Sequence, residues 1–516
     1  MRLNRIWLCL PVALCALGLA VTRAGEGGAA PPAAPAVAGP VIPKSWDDEA
    51  LRQLEVPLVK PEASLRYLVK ADFYYRIPVR PIYKSYPVYA PAKEPPGYME
   101  WLKKQEPEIA FDPAKLKSEE DWVRAGELVF DQPLSYYAQD LIDRYHDPKW
   151  LEAAKLPVAK DGTLPYTRYF VRQKGQVLIG RFSCAMCHTR VMPDGSVIKG
   201  AQGNFPHDRV EALDKADDTQ EATDPQKNLD ELHRYARNAF GAPWVAHDPA
   251  ARYGKLSAQE IVAHWAAIPP GVQARVGTSV FNPVQVPDLI GVRDRLYLDR
   301  TGLVRHRGLV DLMRYAMVNQ GAFLYGAHGD FQFNQTLPPP EKMLRYGDDQ
   351  LYALALYLYS LKPPENPNPV DEHAARGKAI FEREGCVRCH TPPLYTNNKL
   401  LPVDGFTVPA NHPDRDHIVD FSVGTDPGLA LDTRRGTGFY KVPSLKGVWY
   451  RGPLQHSGQV ATLEEWLNPA RLRDDFVSPG GFRPVGATSG AVRGHEFGLK
   501  LSDAERKDLI AFLRTL

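Results

Sequence analysis

Two copies of a C-x-x-C-H pattern constrain this 516-residue chain more than any other feature of its sequence. The first copy is CAMCH at residues 184–188, and the second is CVRCH at residues 386–390. On one helical turn, two cysteines at i and i+3 face the same way, so both sulfurs can bond the vinyl groups on one edge of a porphyrin. The next histidine then offers a ring nitrogen to iron. The predicted attachment residues for two covalent c-type haems are Cys184, Cys187, His188, Cys386, Cys389 and His390, and a structural zinc site is the alternative.

The N-terminus has the features of an export signal. Arg2 and Arg5 precede an apolar run over residues 6–21, and the small residues around Ala24 suit a cleavage site. The sequence therefore predicts a signal peptide over residues 1–24, with a retained N-terminal anchor as the alternative. The run is short for a membrane span, and no later segment is apolar enough to be one. Because c-type haem is attached outside the bacterial cytoplasm, we expect a periplasmic or secreted protein.

Composition excludes one class of partner. The chain carries 63 basic and 61 acidic residues, which give a net charge of +2. This balance offers no electrostatic attraction for a nucleic acid or an anionic membrane surface. Two of the six cysteines lie in the apolar N-terminal run and four in the haem motifs, so no disulfide framework is expected.

Residues 25–120 are predicted to be an extension without a haem. The Gly-, Ala- and Pro-rich stretch up to Pro43 is expected to be a linker. Between Tyr74 and Tyr98, tyrosines alternate with prolines that exclude long helices. We therefore expect an extended arm whose aromatic side chains pack on a neighbouring surface, with substrate binding as the alternative.

From residue 121 onward, three further segments occur twice. AGELVF at 125–130 resembles RGKAIF at 376–381, VPDLIGV at 286–292 matches VPSLKGV at 442–448, and LALYLYSL at 354–361 parallels LIAFLRTL at 509–516. Each half thus has an opening helix, a haem motif, a V-P-x-L-x-G-V loop and a closing helix. The sequence predicts a mainly α fold with two tandem cytochrome c-like haem domains and long loops. The predicted domains are residues 121–365 and 366–516, and strand signals are weak.

The sixth ligand of each iron decides the chemistry, because methionine, histidine or an open site gives different reactivity. No methionine follows Met343, so the second half must use another residue. Its histidines outside the motif are His373, His412, His417, His456 and His495. His456 follows the repeated loop in a Gly- and Pro-rich segment and is the predicted metal ligand.

The first half has Arg300 at the position equivalent to His456. Arginine does not ligate iron, because its guanidinium stays protonated. Arg300 is therefore the predicted distal-side residue of the first haem, where it can donate hydrogen bonds to bound oxygen or to a propionate. His207 and His306 are other candidates for the distal side of the first haem.

At these residues the chain resembles the bacterial di-haem cytochrome c peroxidases and their relatives, the rubber oxygenases. The similarity runs over residues 121–516 and is most specific from GTDP at 424–427 through GFYKVPSL at 438–445 to HSG at 456–458. The peroxidases pair a peroxide-reacting first haem with a second haem that takes a methionine, which is absent here. Rubber-oxygenase-like proteins use the H-x-G histidine, which His456 matches, and keep the first haem open for dioxygen. The resemblance also makes calcium an expected cofactor, with no ligands assigned.

The predicted function is that of an exported di-haem oxidoreductase. Peroxide or dioxygen would react at the first haem, and the second haem would relay electrons from a periplasmic redox partner. The main alternative is an electron-transfer cytochrome with both irons six-coordinate. A haem-bearing binding module that docks through the Tyr/Pro arm is the third.

Overall fold

The computed structural model of the chain describes residues 40–332 and 337–516, so the predicted signal peptide and most of the linker lie outside the described residues. Helices are the main elements of the described chain. They are α1 (Asp48–Arg52), α2 (Ala71–Arg76), α3 (Tyr98–Lys103), α4 (Glu119–Asp131), α5 (Gln139–Tyr145), α6 (Pro148–Ala154), α7 (Cys184–Cys187), α8 (His207–Gln220), α9 (Pro225–Phe240), α10 (Pro249–Tyr253), α11 (Ala258–Ala266), α12 (Leu309–Asn319), α13 (Asp348–Ser360), α14 (Glu372–Arg383), α15 (Gly428–Leu431), α16 (Leu463–Trp466) and α17 (Asp503–Arg514).

Short strands connect these helices. They are β1 (Leu65–Tyr67), β2 (Ser85–Tyr89), β3 (Ser135–Tyr137), β4 (Thr163–Gln173), β5 (Gln176–Arg181), β6 (Thr189–Val191), β7 (Val197–Lys199), β8 (Val272–Gln273), β9 (Val284–Gln285), β10 (Tyr297–Leu298), β11 (Val304–Arg305), β12 (Gly326–His328), β13 (Phe331–Gln332), β14 (Leu400–Pro402) and β15 (Phe439–Lys441). Most of them form two- or three-stranded ladders.

A four-stranded antiparallel sheet is the main β element, in the order β2-β4-β5-β3. Three of its strands lie in the insertion between α4 and the first haem motif. The expectation of weak strand signals overlooked them. A signal was present, because aromatic and β-branched residues flank the turn at Lys174-Gly175, where Gly175 has a φ of 85°.

Two pairs of packed helices carry the repeated opening and closing segments. In the first half α4 packs on α13, and in the second half α14 packs on α17. Ser118 and Ser502 form capping boxes at the starts of α4 and α17, which satisfy the free N–H groups of the first turn. A glycine lies at each crossing. A Cβ on Gly126 would stand 2.0 Å from the Ala353 carbonyl oxygen, and one on Gly377 would stand 1.9 Å from that of Asp508.

The Tyr/Pro segment packs against the core of the first half. Trp46 is 1% exposed and stacks on Tyr74, with ring centroids 4.6 Å apart. Both side chains belong to the apolar cluster that also contains Val129 of α4 and Leu354 of α13. Further along the segment, β2 adds its edge to β4. These aromatic side chains therefore have packing roles in the described structure.

The two halves are joined by backbone and side-chain hydrogen bonds. The Lys441 N–H donates to the Arg300 carbonyl over 3.0 Å. The Thr301 and Thr437 hydroxyls each donate to a carbonyl of the other half, over 2.7 and 2.6 Å. Arg305 forms an ion pair with Asp414 over 2.5 Å. The loop after the first V-P-x-L-x-G-V segment is thereby fixed against the second half. In the part of the chain that is described, no helix has the length and apolar character needed to cross a bilayer.

Replacing Gly377 with alanine should destabilise the protein by about 1–3 kcal/mol, because the added methyl group meets the Asp508 carbonyl. Helix propensity alone predicts the opposite sign, since alanine favours a helix by about 1 kcal/mol over glycine. Ala379→Ser, on the exposed side of the same helix, is the matched control. Denaturant unfolding of the three proteins measures the difference. A Gly377→Ala protein as stable as wild type or more so would contradict the close crossing.

Candidate haem sites

The first motif forms one helical turn. Cys184 and Cys187 bound α7, and the Ser183 hydroxyl caps it by accepting a hydrogen bond from the Met186 N–H. The His188 N–H donates to the Cys184 carbonyl over 2.9 Å, which places the histidine at the end of the turn. Both cysteines are free thiols. The turn therefore presents two thiols and one imidazole within five residues, as covalent haem attachment requires.

A backbone carbonyl orients the His188 ring. Its Nδ1 lies 3.0 Å from the Pro287 carbonyl oxygen, in the repeated V-P-x-L-x-G-V loop. Since a carbonyl only accepts, Nδ1 carries the proton and Nε2 keeps its lone pair. Burial lowers the pKa of His188 to about 4, so the ring is neutral at pH 7. A neutral imidazole with a free Nε2 is the form that binds iron.

The second motif repeats this arrangement on a short 3₁₀ turn over Cys386–Arg388. The His390 N–H donates to the Cys386 carbonyl over 2.8 Å, and Nδ1 lies 3.2 Å from the Tyr395 carbonyl oxygen. Burial lowers the pKa of His390 to about 4. The cysteines of this motif are also free thiols. Both motif histidines thus offer a neutral Nε2.

A large cavity lies beside the second motif. Cys386, Cys389 and His390 line it on one side, and its other walls are mainly apolar. The apolar wall residues are Phe381, Leu445, Val448, Leu463, Leu467, Leu509 and Leu513. Two thiols, a histidine and a large apolar space are what a covalently attached haem needs. The residues present therefore fit a haem at this site.

His495 lies beside His390 in the wall of this cavity, and the two ring planes meet at an angle of 62°. The two ring centroids are 6.3 Å apart. A metal–imidazole bond of about 2.0–2.1 Å puts the centres of two opposed ligand rings roughly 6 Å apart. Burial lowers the pKa of His495 to about 3, so this ring is also neutral. The spacing between the two rings suits a single metal ion between them.

His495 is held by a strained backbone and a buried arginine. Its φ is 47°, and it is flanked by Gly494 and Gly498, whose φ values are 76° and 78°. Such positive φ values are costly for a residue with a side chain and tend to occur at functional sites. Arg471 is 0% exposed and donates to the carbonyls of Gly494 and His495, both over 2.9 Å. These contacts fix the direction of the His495 ring.

His456, the predicted ligand, lines the same cavity but packs against Tyr440. Its ring stacks on Tyr440 with centroids 4.0 Å apart and an interplanar angle of 15°. Burial lowers the pKa of His456 to about 3, and its Nε2 has no hydrogen-bond partner among the described residues. The structure thus brings a third neutral histidine to the cavity. His495 is one of five histidines of the second half outside the motif and is not the predicted ligand, although Gly494 and Gly498 near it are a usable signal.

Arg300 lies against the second cavity, where it lines the wall with His390 and His456. Arg300 also lines a smaller pocket with Pro287, whose carbonyl accepts the hydrogen bond of His188. Its predicted place on the distal side of the first haem stays a prediction. The hydrogen bond from Lys441 N–H to the Arg300 carbonyl pins this loop to β15 of the second half.

Two histidines were candidates for the distal side of the first haem. His306 uses both ring nitrogens, with Nδ1 2.6 Å from the Arg295 carbonyl oxygen and Nε2 2.8 Å from the Tyr359 hydroxyl. It therefore has no nitrogen left for iron. Both ring nitrogens of His207 are buried without a hydrogen-bond partner among the described residues, and burial lowers its pKa to about 4. His207 is the remaining candidate of the two.

Calcium has no assigned site. Across residues 40–332 and 337–516, no group of three or more His, Cys, Asp or Glu side chains is arranged to hold a metal ion. The expectation of calcium thus remains a prediction from the resemblance alone.

Comparison with known proteins identifies relatives of one kind. Cytochrome-c peroxidase IdrP1 of Denitromonas iodatirespirans is 30% identical over 165 residues, which are 28% of this chain and 40% of the relative. Methylamine utilization protein MauG of Methylorubrum extorquens is 30% identical over 180 residues, covering 32% of this chain and 42% of the relative. MauG of Paracoccus denitrificans is 25% identical over 273 residues, or 49% and 66% of the two chains. The chain is similar to the di-haem cytochrome c peroxidases and to MauG.

The resemblance to the di-haem cytochrome c peroxidase superfamily is thereby confirmed. The chain spans about two fifths of the length of the first two relatives. No family model matches it. Among solved structures, a MauG-like protein associated with microbial copper homeostasis aligns at 18% identity with a TM-score of 0.27, covering 45% of this chain and 73% of that one.

Two matched variants separate the candidate ligands of the second site. His495→Gly should convert one low-spin haem to high spin, because it removes the ring that faces His390. Glycine also tolerates the backbone conformation at this position. His456→Gly should leave both haems in their wild-type spin states. Absorption and EPR spectra of the oxidised proteins measure this. If His456→Gly produced the high-spin haem and His495→Gly left both spin states unchanged, His456 would be the ligand.

Proposed function

We propose that the chain is an exported di-haem c-type cytochrome that acts as an oxidoreductase. The observation that carries this proposal is the His390–His495 pair, which faces across a cavity flanked by two free thiols. The confirmed relation to the di-haem peroxidases supports the same cofactor. A structural zinc site is disfavoured for two reasons. The cavity is lined mainly by apolar side chains, and it is too large for a single ion. The proposed haem domains are residues 121–365 and 366–516.

The second site is proposed as the electron relay. His390 and His495 are both neutral at pH 7 and line the same cavity, so together they would hold one iron. Two histidine ligands leave no position for an oxidant and give a lower potential than histidine with methionine. These residues favour electron transfer over chemistry at the second site.

The first site is proposed as the reactive one. A haem held there supplies an iron on which peroxide or dioxygen reacts. His188 occupies one side, oriented by the Pro287 carbonyl. Gln273 Oε1 and Gln320 Nε2 lie 3.7 and 3.6 Å from the sulfurs of Cys187 and Cys184. These contacts position the two thiols.

A second candidate function rests on His207. Its unpartnered ring nitrogens make it available as a distal ligand that would close the first haem. The protein would then be an electron carrier, with both irons six-coordinate. A periplasmic redox partner is expected in either case. A small-molecule oxidant is expected only if the first haem is open.

Carbon monoxide binding decides between the two functions. In the reduced protein, about half of the haem should bind carbon monoxide, because one iron is closed by two histidines and the other is open. Photometric titration measures the fraction. A protein that takes up no carbon monoxide, but does so after His207→Gly, would be an electron carrier closed by His207. Uptake by all of the haem would contradict the closed second site.

A further inference from the structure

A cluster of half-buried cations lies where the two halves meet. Arg295, Arg300, Lys441 and Arg451 line one small pocket, together with Pro287 and Pro443 of the two repeated loops. We call these four residues the basic cluster. Three of its members, all except Arg295, also line the large cavity beside the second motif. The small pocket therefore lies next to that cavity and shares part of its wall.

The basic cluster has no carboxylate partner that matches its charge. Within the described ranges, none of the four side chains forms an ion pair. Arg295 donates to the Ile290 carbonyl over 2.7 Å, Lys441 to the Tyr297 carbonyl over 3.2 Å, and Arg451 to the Ser444 carbonyl over 2.8 Å. The Nε atoms of Arg300 and Arg451 are buried without a hydrogen-bond partner among the described residues. One carboxylate, Asp288, lines the same pocket.

Such an arrangement is costly unless an anion is bound. A buried charge without a partner is strongly destabilising, by several kcal/mol in general. Consistently, burial and the neighbouring Arg451 and Arg295 lower the pKa of Arg300 to about 9. The Lys441 pKa falls well below its usual value, first because of burial. The pocket thus requires negative charge that the described protein groups do not supply.

The position of the cluster indicates which anion fits. Cys386 and Cys389 would hold the vinyl edge of a haem at one part of the large cavity, and the basic cluster lines another part of it. The two carboxylates of a haem lie on the edge opposite its vinyl groups. Guanidinium groups bind carboxylates through paired N–H donors, and the resulting bonds are charge-assisted.

We propose that the basic cluster binds the propionate carboxylates of the second haem, and that Arg300 does so from the other half of the chain. This inference rests on the proposed function, since it requires a haem at the second site. Arg300 acts as a positioning residue that ties the haem of one half to the loop of the other. Its positive charge also favours the reduced haem, because reduction adds one negative charge nearby.

The test is a redox titration of the holoprotein. Arg300→Gln should lower the midpoint potential of the second haem by ~59 mV, which corresponds to a tenfold change in the one-electron reduction equilibrium. Arg300→Lys should restore most of the shift, because it keeps the charge. Arg293→Gln, which removes an exposed arginine from the same loop, is the matched control and should leave both potentials unchanged. If Arg300→Gln fails to fold, Lys441→Met provides the same test with the same expected direction.

Three results would overturn the inference. If the midpoint potentials of both haems are the same in Arg300→Gln as in the Arg293→Gln control, the cluster does not contact a propionate. An equal shift in Arg300→Lys and Arg300→Gln would show that charge is not the cause. A wild-type potential that depends on added inorganic phosphate, and loses this dependence in Arg300→Gln, would show that the cluster binds a free oxyanion. A haem count other than two, from a pyridine haemochrome assay, would instead contradict the proposed function.

Discussion

Both candidate haem sites depend on one hydrogen bond, from a motif histidine Nδ1 to a backbone carbonyl. The acceptors are Pro287 in the first half and Tyr395 in the second, at 3.0 and 3.2 Å. The bond fixes the tautomer, so Nε2 faces outward with its lone pair free. Burial keeps both rings neutral. Without this bond, the same motif would present a rotating ring with no defined direction, and the opposite histidine would face no fixed partner.

The helix pairs hold these histidines in place. Each opening helix crosses its closing helix at a glycine, where the backbones approach too closely for any side chain. The two crossings leave the haem motif and the repeated loop at comparable positions in each half. The halves then differ in what they add. The first half has an inserted sheet and the Tyr/Pro segment, and the second has the large apolar cavity. This asymmetry agrees with different roles for the two sites.

The repeated elements could be predicted from the sequence because their chemistry is local. A haem motif needs its residue types at a fixed spacing, and a helix start needs its capping serine, so both are readable over a few residues. The distal residues were harder, because they depend on how distant loops meet. His456 and Arg300 occupy equivalent positions in the sequence, yet Arg300 is pinned to β15 of the other half. His495 faces His390 because Arg471 holds its loop, a contact that no local pattern encodes.

The distribution of charge could not be predicted from the sequence either, because it depends on how distant segments meet. The overall balance of +2 excludes a general attraction to polyanions, but it conceals four half-buried cations gathered in one pocket. Only the fold brings Arg295 and Arg300 of one half against Lys441 and Arg451 of the other. A half-buried cluster of this kind favours a bound anion more than an exposed patch does, because water screens it less.

The central claim is that one chain carries two covalently attached haems. The most direct measurement is the intact mass of the purified protein after denaturation and removal of free haem. The account predicts the mass of the processed polypeptide plus two haem groups, and loss of one group in a variant with Cys386 and Cys389 replaced by alanine. A polypeptide that retains one haem or none, or that carries zinc instead, would contradict it.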